Sequence, residues 1–184
     1  MGLNISNFKL KPYEEKYAEK AFYKLLGPDT ESWQVYKDYH INKKLSKTLY
    51  YKNKRVGIYI LGKIDDLEEY FSAYNNETYT TPKGHVITYK IKFRKNLKKY
   101  FNKKGIHGIA LYIEPKYRGY GAGKMLIEYA KSKGDYTLGG HDVKLDNLKH
   151  WLKIRFLAAN IYTVKKGKKK LDSYYTISPI NSNN

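Results

Sequence analysis

Three glycines within five residues separate a strongly apolar stretch from an amphipathic stretch in the C-terminal half of the chain. Segment 109–124 has the sequence IALYIEPKYRGYGAGK, with the glycines at Gly119, Gly121 and Gly123. Because glycine has no Cβ, such a turn tolerates positive φ and lets a ligand approach the backbone closely. A helix that begins after the turn points free N–H groups and the positive end of its dipole back at it. The segment therefore predicts a site for a phosphate-bearing ligand, preferably a diphosphate.

Spacing excludes the two commonest phosphate-binding patterns. A Walker loop needs a glycine five positions before Gly123-Lys124, and Arg118 occupies that position. It also needs Ser or Thr after the lysine, where the chain has Met125. The dinucleotide pattern G-x-G-x-x-G, begun at Gly119, requires Gly or Ala at position 124, which is lysine. The pattern that fits is Arg-x-x-Gly-x-Gly at a strand–helix junction, with fixed positive charge on its arginine and on the following lysine.

From Ile113 to Gly123, the string I-x-P-x-Y-R-G-x-G-x-G resembles the acetyl-CoA-binding motif of the GNAT (GCN5-related N-acetyltransferase) superfamily. Its RGYGA stretch, Arg118–Ala122, is similar to that of the histone acetyltransferase branch. The resemblance covers residues 106–160. It implies an α/β (α+β), single-domain GNAT-like fold with a mixed, mostly antiparallel central sheet flanked by helices.

The resemblance also implies acetyl-CoA as the cofactor. The strand before the turn would offer backbone groups of Tyr112 and Ile113 to the pantetheine amides, and Asn147, early in a later helix, would join them. The pyrophosphate would bind to the peptide N–H groups of Arg118, Gly119, Tyr120, Gly121, Ala122, Gly123 and Lys124. The chain departs from the family pattern after Asn147. Ile154 replaces the usual tyrosine and no Gly-Phe pair follows, so the usual general acid is not identified there.

Acetyl transfer to an amine requires a base, because a lysine-like amine with a pKa of about 10.4 is almost entirely protonated at pH 7. His107 lies where histone acetyltransferases carry a glutamate if one residue of bulge is allowed, and histidine titrates near neutrality. An ordinary half-exposed histidine at a strand end also fits that position. Glu114 beside the turn is the second candidate base, although a solvent-facing carboxylate fits it too. Tyr162 and Tyr120 are the candidate general acids among 21 tyrosines.

No metal centre is expected. The chain has no cysteine, which removes thiolate metal sites, disulfides and cysteine nucleophiles together. His141, Asp142 and His150 lie just beyond a predicted strand, but their spacing gives no third ligand that would complete a metal site.

The length of 184 residues predicts one domain, over residues 1–178, and residues 179–184 are predicted as a disordered tail. Helices come first, and a mixed sheet with interspersed helices follows. Residues 75–84 are predicted as a loop, 165–170 (KKGKKK) as a turn, and 65–84 as an insertion relative to the family. The predicted helices are 11–26, 29–44, 65–74, 121–133 and 145–155, and the predicted strands are 47–52, 55–62, 85–94, 106–113, 136–138, 156–164 and 171–177.

The charge of the chain favours acidic partners. Lys and Arg number 36 against 17 Asp and Glu, a net charge of +19, and such a surplus attracts nucleic acid and phosphorylated ligands. Heavy use of Lys, Asn, Ile and Tyr is also what drift in an AT-rich genome produces, as in a phage, so both interpretations stay open. The chain lacks an apolar run that could span a bilayer and a secretory leader. We therefore expect no membrane partner and a cytoplasmic location, in the host cytoplasm if the protein is viral.

These observations predict an acetyl-CoA-dependent N-acetyltransferase whose acceptor is a primary amine on a nucleic acid or on a nucleic-acid-associated protein. The alternative is a GNAT-like nucleic-acid-binding or base-modifying module with weak or no acetyl transfer, which the missing tyrosine and Gly-Phe pair would explain. A third interpretation is a small-molecule or peptide acetyltransferase whose charge reflects drift alone.

Overall fold

The computed structural model describes residues 3–26, 41–80, 86–142 and 148–180, and these fall into two compact units. The first unit is drawn from Met1–Lys63 and Ile106–Gly134, and the second from Ile64–Gly105 and Asp135–Asn184. Both combine helices with mostly antiparallel strands, which confirms the predicted α+β class. No helix within these described ranges is both long and apolar enough to cross a membrane.

The elements are named here in chain order. The described residues form β1 (Phe8–Pro12), α1 (Glu15–Leu26), β2 (Lys47–Tyr51), β3 (Lys54–Ile64), α2 (Leu67–Tyr74), β4 (Thr78–Thr80), β5 (Val86–Phe93), β6 (Gly105–Ile113), α3 (Ala122–Lys131), β7 (Tyr136–Asp142), α4 (Leu148–Trp151), β8 (Phe156–Lys165) and β9 (Lys168–Ile177). Short 3-10 helices cover Ile5–Asn7, Lys95–Tyr100 and Pro115–Tyr117.

The first unit orders its strands β1-β2-β3-β6, and its described residues place α1 on one face and α3 on the other. Side chains alternate between the faces of β3, as a strand requires. Ile58 and Ile60 contact the face that α1 covers, where Phe22 is fully buried. Tyr59 and Leu61 belong to the core that α3 covers through Leu126, Ala122 and Ala130. The helix after the glycine turn is therefore anchored by its buried stripe.

The second unit orders its strands β7-β9-β8-β5-β4, each antiparallel to its neighbour. Its core lies between this sheet and two helical segments, α2 with Leu67 and Phe71 and the 3-10 helix with Leu97 and Tyr100. The Tyr100 hydroxyl donates to the Ser178 carbonyl at 3.0 Å, which fixes the chain just after β9.

Most predicted elements occur, but several boundaries are wrong. Residues 11–12 are not helical, because they complete β1, which pairs with β2 from Phe8 to Pro12, and α1 begins only at Glu15. Thr78–Thr80 is a strand rather than part of a loop, since it pairs with β5 and Thr78 shares a hydrogen bond with Thr88 at 3.1 Å. Both errors concern short strands at the ends of the strand order, and β1 pairs with a strand that is distant in sequence.

Four further boundaries differ from prediction. Residues 41–46 form a turn, so no helix reaches Lys44, and the rest of that predicted helix lies outside the described residues. In the predicted helix 145–155, the described helical part is Leu148–Trp151. The predicted lysine-rich turn at 165–170 is in fact shorter and consists of Lys166 and Gly167, because residues 168–170 already belong to β9. Strand 136–138 extends to Asp142 because β7 stays paired with β9 along its length.

The close approach of β3 to β6 depends on a glycine. A Cβ on Gly57 would lie 2.6 Å from the Tyr112 carbonyl oxygen, a backbone atom that cannot rotate away. We expect Gly57→Ala to destabilise the protein by about 1–3 kcal/mol through overpacking, measured as a lower urea midpoint. Gly140→Ala is the matched control, because its Cβ would meet Tyr175 at an ordinary 3.6 Å. Equal midpoints for the two variants would contradict this packing.

Candidate functional site

The glycine turn connects β6 to α3 through two residues in the left-handed region. After β6 the chain forms the 3-10 helix Pro115–Tyr117 and then reverses at Gly119, with φ of +83°, and Gly121, with φ of +85°. Residues other than glycine rarely adopt such values. Gly121 is the N-cap of α3, and no side chain caps the helix there.

Internal contacts hold this turn in one shape. The Arg118 Nε donates to the Ile113 carbonyl at 2.8 Å, which closes the loop between the end of β6 and the glycines. The Glu114 N–H donates to the Val56 carbonyl at 2.8 Å, which continues the pairing of β6 with β3. Tyr117 is buried, with its ring centroid 5.4 Å from that of Tyr51. The loop backbone is therefore fixed from both ends.

The turn leaves a row of backbone donors unpaired. Within the described residues, the N–H groups from Gly119 to Lys124 make no hydrogen bond, and the first helical bond joins the Met125 N–H to the Gly121 carbonyl at 3.1 Å. Residues 118–121 and Lys124 are exposed, whereas Ala122 is buried and Gly123 partly buried. A Cβ on Gly119 would meet nothing within 4 Å. A helix N-terminus with unpaired N–H groups of this kind is able to bind an anion.

The residues just before the turn can offer a ligand only backbone groups. The Tyr112 side chain is buried in the core beneath α1, and the Ile113 side chain is buried in the core beneath α3. The Ile113 carbonyl already accepts the hydrogen bond from Arg118. Tyr120, by contrast, is 43% exposed beside the glycines.

The two predicted bases lie in the first unit but differ in setting. His107 is near the start of β6 and is partly exposed. The Glu114 carboxylate lies 3.9 Å from the Lys54 ammonium and lines an open cleft beside α1. Glu114 is thus engaged with a cation.

Tyr162, the predicted general acid, belongs to β8 in the second unit. Its hydroxyl accepts a hydrogen bond from the Asn160 amide at 3.3 Å, and the Lys169 ammonium lies 4.1 Å from its ring centroid. Asn147 lies outside the described residues. No cluster of three metal-ligating side chains occurs in the described part of the chain.

His141 is buried in the second unit as part of a polar cluster. Its Nε2 shares a hydrogen bond with the Thr176 hydroxyl at 2.7 Å, and its ring lies 5.4 Å from that of Trp151. Arg155 is also buried and donates to the carbonyls of Thr137 and Thr176. Burial, and then the Arg155 charge, lower the pKa of His141 to about 4, so its imidazole is neutral at pH 7.

Sequence reasoning missed a basic cleft in the first unit, where five cationic side chains surround Tyr17. The cations lie on α1 and at the start of β3: Lys16, Lys20, Lys24, Lys54 and Arg55. The one available indication was the spacing of the three α1 lysines, which recur every fourth residue and so share one helix face.

The sequence matches no family model and no curated protein. Solved structures, however, share its fold. Naa50 from Arabidopsis thaliana, in complex with the bisubstrate analogue CoA-Ac-MVNAL, has a TM-score of 0.57 at 14% identity, covering 95% of this chain and 99% of that one. A GNAT family acetyltransferase from Elizabethkingia anophelis with acetyl-CoA bound has a TM-score of 0.53 at 10% identity, covering 95% and 99%.

A third similar structure is the Drosophila melanogaster polyamine N-acetyltransferase, with a TM-score of 0.55 at 10% identity, covering 94% of this chain and 100% of that one. At these identities the likeness is one of fold. The chain therefore has the GNAT acetyltransferase fold, as the glycine-turn motif predicts.

The buried imidazole of His141 predicts a pH dependence of stability. The pKa of His141 is lowered to about 4 in the folded protein, whereas its ordinary pKa, which applies to the unfolded chain, is about 6.5. Between about pH 6.5 and pH 4 the unfolded chain therefore binds a proton on this imidazole that the folded protein does not bind. Stability is therefore fully present above about pH 6.5 and falls as the pH drops towards 4, by about 3 kcal/mol in total. In His141→Gln this part of the decline should disappear from urea denaturation measured between pH 4 and 7. Parallel stability curves for the two proteins would contradict the expectation.

Proposed function

We propose that this protein is an N-acetyltransferase that transfers the acetyl group of acetyl-CoA to a primary amine. The observation that carries the proposal is the row of unpaired N–H groups from Gly119 to Lys124 at the N-terminus of α3, held open by two left-handed glycines. The GNAT fold of the whole chain supports it, since the similar structures named above are acetyltransferases.

The residues of the turn fit the diphosphate of acetyl-CoA. Peptide N–H groups that have no protein partner can donate to phosphate oxygens without breaking other bonds. The exposed Lys124 and the guanidinium of Arg118, whose Nε already fixes the turn, add positive charge beside them. Backbone groups of Tyr112 and Ile113 would hold the pantetheine chain, and Asn147 would complete the site. Acetyl-CoA supplies the reactive thioester, and the chain supplies position and proton transfer.

Proton removal from the acceptor amine is assigned to His107. An amine attacks only in its neutral form, and imidazole is the side chain best suited to accept a proton near neutral pH. Glu114 is the weaker candidate, because its carboxylate faces Lys54 at 3.9 Å. Tyr162 is proposed as the general acid that protonates the leaving thiolate.

The acceptor is proposed to be an amine on a nucleic acid or on a protein bound to one. The net charge of +19 supports this, since a strongly basic protein attracts polyanions over a long range. A cytoplasmic location and a phage origin remain predictions from composition.

The cofactor site is tested by isothermal titration with acetyl-CoA. The wild-type protein should bind, and Gly121→Ala should bind about 5- to 30-fold more weakly, because a Cβ in the left-handed region costs about 1–2 kcal/mol and drives the turn out of the shape that binds the ligand. That Cβ would also press on Ile5 at 3.1 Å. Gly140→Ala, in the second unit, should bind as the wild type does. No heat and no thermal shift of the wild type at saturating acetyl-CoA would refute the proposal.

Catalysis is tested by steady-state kinetics with polyamine, peptide and tRNA acceptors. His107→Gln should lower kcat by about 100-fold, the usual contribution of a general base, while KM for acetyl-CoA stays unchanged. Glu114→Gln, the matched change at the second candidate, should leave kcat within about twofold. A large decrease in kcat for Glu114→Gln together with an almost unchanged kcat for His107→Gln would instead identify Glu114 as the base.

A further inference from the structure

The basic cleft is an open concavity of about 390 Å³ between α1 and the start of β3. Its cations are the five side chains defined above, and Glu114, the residue that follows β6, is the one carboxylate among the described residues that line it. The cleft lies entirely within the first unit. Glu114 also begins the segment that leads into the glycine turn, so the cleft and the proposed cofactor site adjoin along the chain.

The α1 lysines form a continuous positive row. Lys16, Lys20 and Lys24 are exposed, and at 1.5 Å per residue they span about 12 Å of helix. None of the three makes an ion pair within the described part of the chain, although like charges four residues apart destabilise a helix. The acidic Glu15 of the same helix instead pairs with Lys43 at 2.7 Å. The row is therefore left unneutralised.

Aromatic rings fix the edges of the cleft. The Arg55 guanidinium lies 5.8 Å from the ring centroid of Tyr17, and the Lys24 ammonium lies 5.7 Å from that of Tyr112. These contacts position two long cationic side chains that would otherwise be flexible. The Glu14 carboxylate lies 3.2 Å from the Arg55 guanidinium and neutralises part of its charge.

Tyr17, which lines the cleft, has a buried hydroxyl without a partner among the described residues. Burial raises the pKa of this hydroxyl, and the nearby negative charge of Glu114 raises it further. The hydroxyl therefore keeps its proton at neutral pH and can donate it. A buried polar atom without a partner costs free energy, and a ligand oxygen would remove that cost.

Lysine ammonium groups, one guanidinium and one hydroxyl donor are the groups that bind phosphate oxygens. Tyr17 is the one aromatic side chain among the described residues that line the cleft, and the Arg55 guanidinium lies against its ring, so the functional groups that the cleft presents are mainly cations. The length of the lysine row suits a chain of phosphates rather than a single one.

We propose that the basic cleft binds the phosphate backbone of a nucleic acid and so places that nucleic acid, or a protein bound to it, as the acetyl acceptor. The second half of this statement rests on the proposed acetyltransferase function, whereas the binding itself does not. Because the cleft would touch phosphates and not bases, binding should be independent of base sequence and steeply salt-dependent.

The test measures binding of the full chain to a fluorescent 20-nucleotide RNA, single-stranded and as a duplex, between 50 and 200 mM salt. The variant Lys16→Gln/Lys20→Gln/Lys24→Gln should bind at least about tenfold more weakly at low salt. Its slope of log K against log salt should fall by about 2, because each phosphate of a single strand that a lysine neutralises contributes about 0.7 to the slope.

The matched control is Lys95→Gln/Lys98→Gln/Lys103→Gln, which removes the same charge from exposed positions in the second unit. It should change RNA affinity by no more than about twofold. Equal decreases in affinity for the two triple variants would overturn the proposal, because attraction would then follow net charge and not the cleft. Wild-type protein that binds neither RNA form would overturn it as well.

Titration with acetyl-CoA separates this proposal from the proposed function. The cleft variant should bind acetyl-CoA as the wild type does, with an unchanged melting temperature. If the cleft variant lost acetyl-CoA binding but kept RNA binding, the cleft would hold a phosphate of the cofactor, and the proposal would be overturned. A wild type that binds RNA through the cleft yet gives no heat with acetyl-CoA would support the cleft and refute the transferase function.

Discussion

The hydrogen bond from the Arg118 Nε to the Ile113 carbonyl holds together the corner on which the candidate site depends. It ties the residue before the glycines to the end of β6, so that the chain must reverse through Gly119 and Gly121 in the left-handed region. That reversal points the first N–H groups of α3 into solvent without a protein partner among the described residues. An anion there would also meet the positive end of the helix dipole, worth about 0.3–1 kcal/mol when exposed.

The core of the first unit makes this corner rigid and decides which faces remain for ligands. Leu126 is completely buried between α3 and the sheet, and Phe22 is completely buried on the opposite face beneath α1. The N-terminus of α3 presents backbone donors at Gly119–Lys124, and the side of α1 presents the lysine row of the basic cleft. The first unit thus carries both of the sites at which we propose that phosphate binds.

The sequence predicts the glycine turn well because everything that defines it is local. Strand, proline, arginine and glycines follow one another within Ile113–Gly123, and this local string carries the resemblance to the GNAT motif. The strand β1 escapes prediction, because Phe8–Pro12 is short, basic and ends in proline, and only pairing with β2 makes it a strand. Its lysines and proline are typical of an edge strand protected against aggregation.

Residues that meet only after folding stay hidden in the sequence. The α1 lysines are visible as a periodic row, but nothing local shows that Arg55 and Glu114 complete a cleft around Tyr17. Likewise, nothing local in the sequence shows that His141 shares a hydrogen bond with Thr176, which is 35 residues away.

The free N–H groups of the turn are the feature on which acetyl-CoA binding depends most, and nuclear magnetic resonance observes them directly. In a ¹⁵N-labelled sample, saturating acetyl-CoA should shift the amide resonances from Gly119 to Lys124 more than any others in the first unit, while those of Gly139 and Gly140 stay in place. If the amide resonances of the turn do not move, the claim that the turn binds acetyl-CoA is contradicted. This holds whether or not other signals of the protein respond to acetyl-CoA.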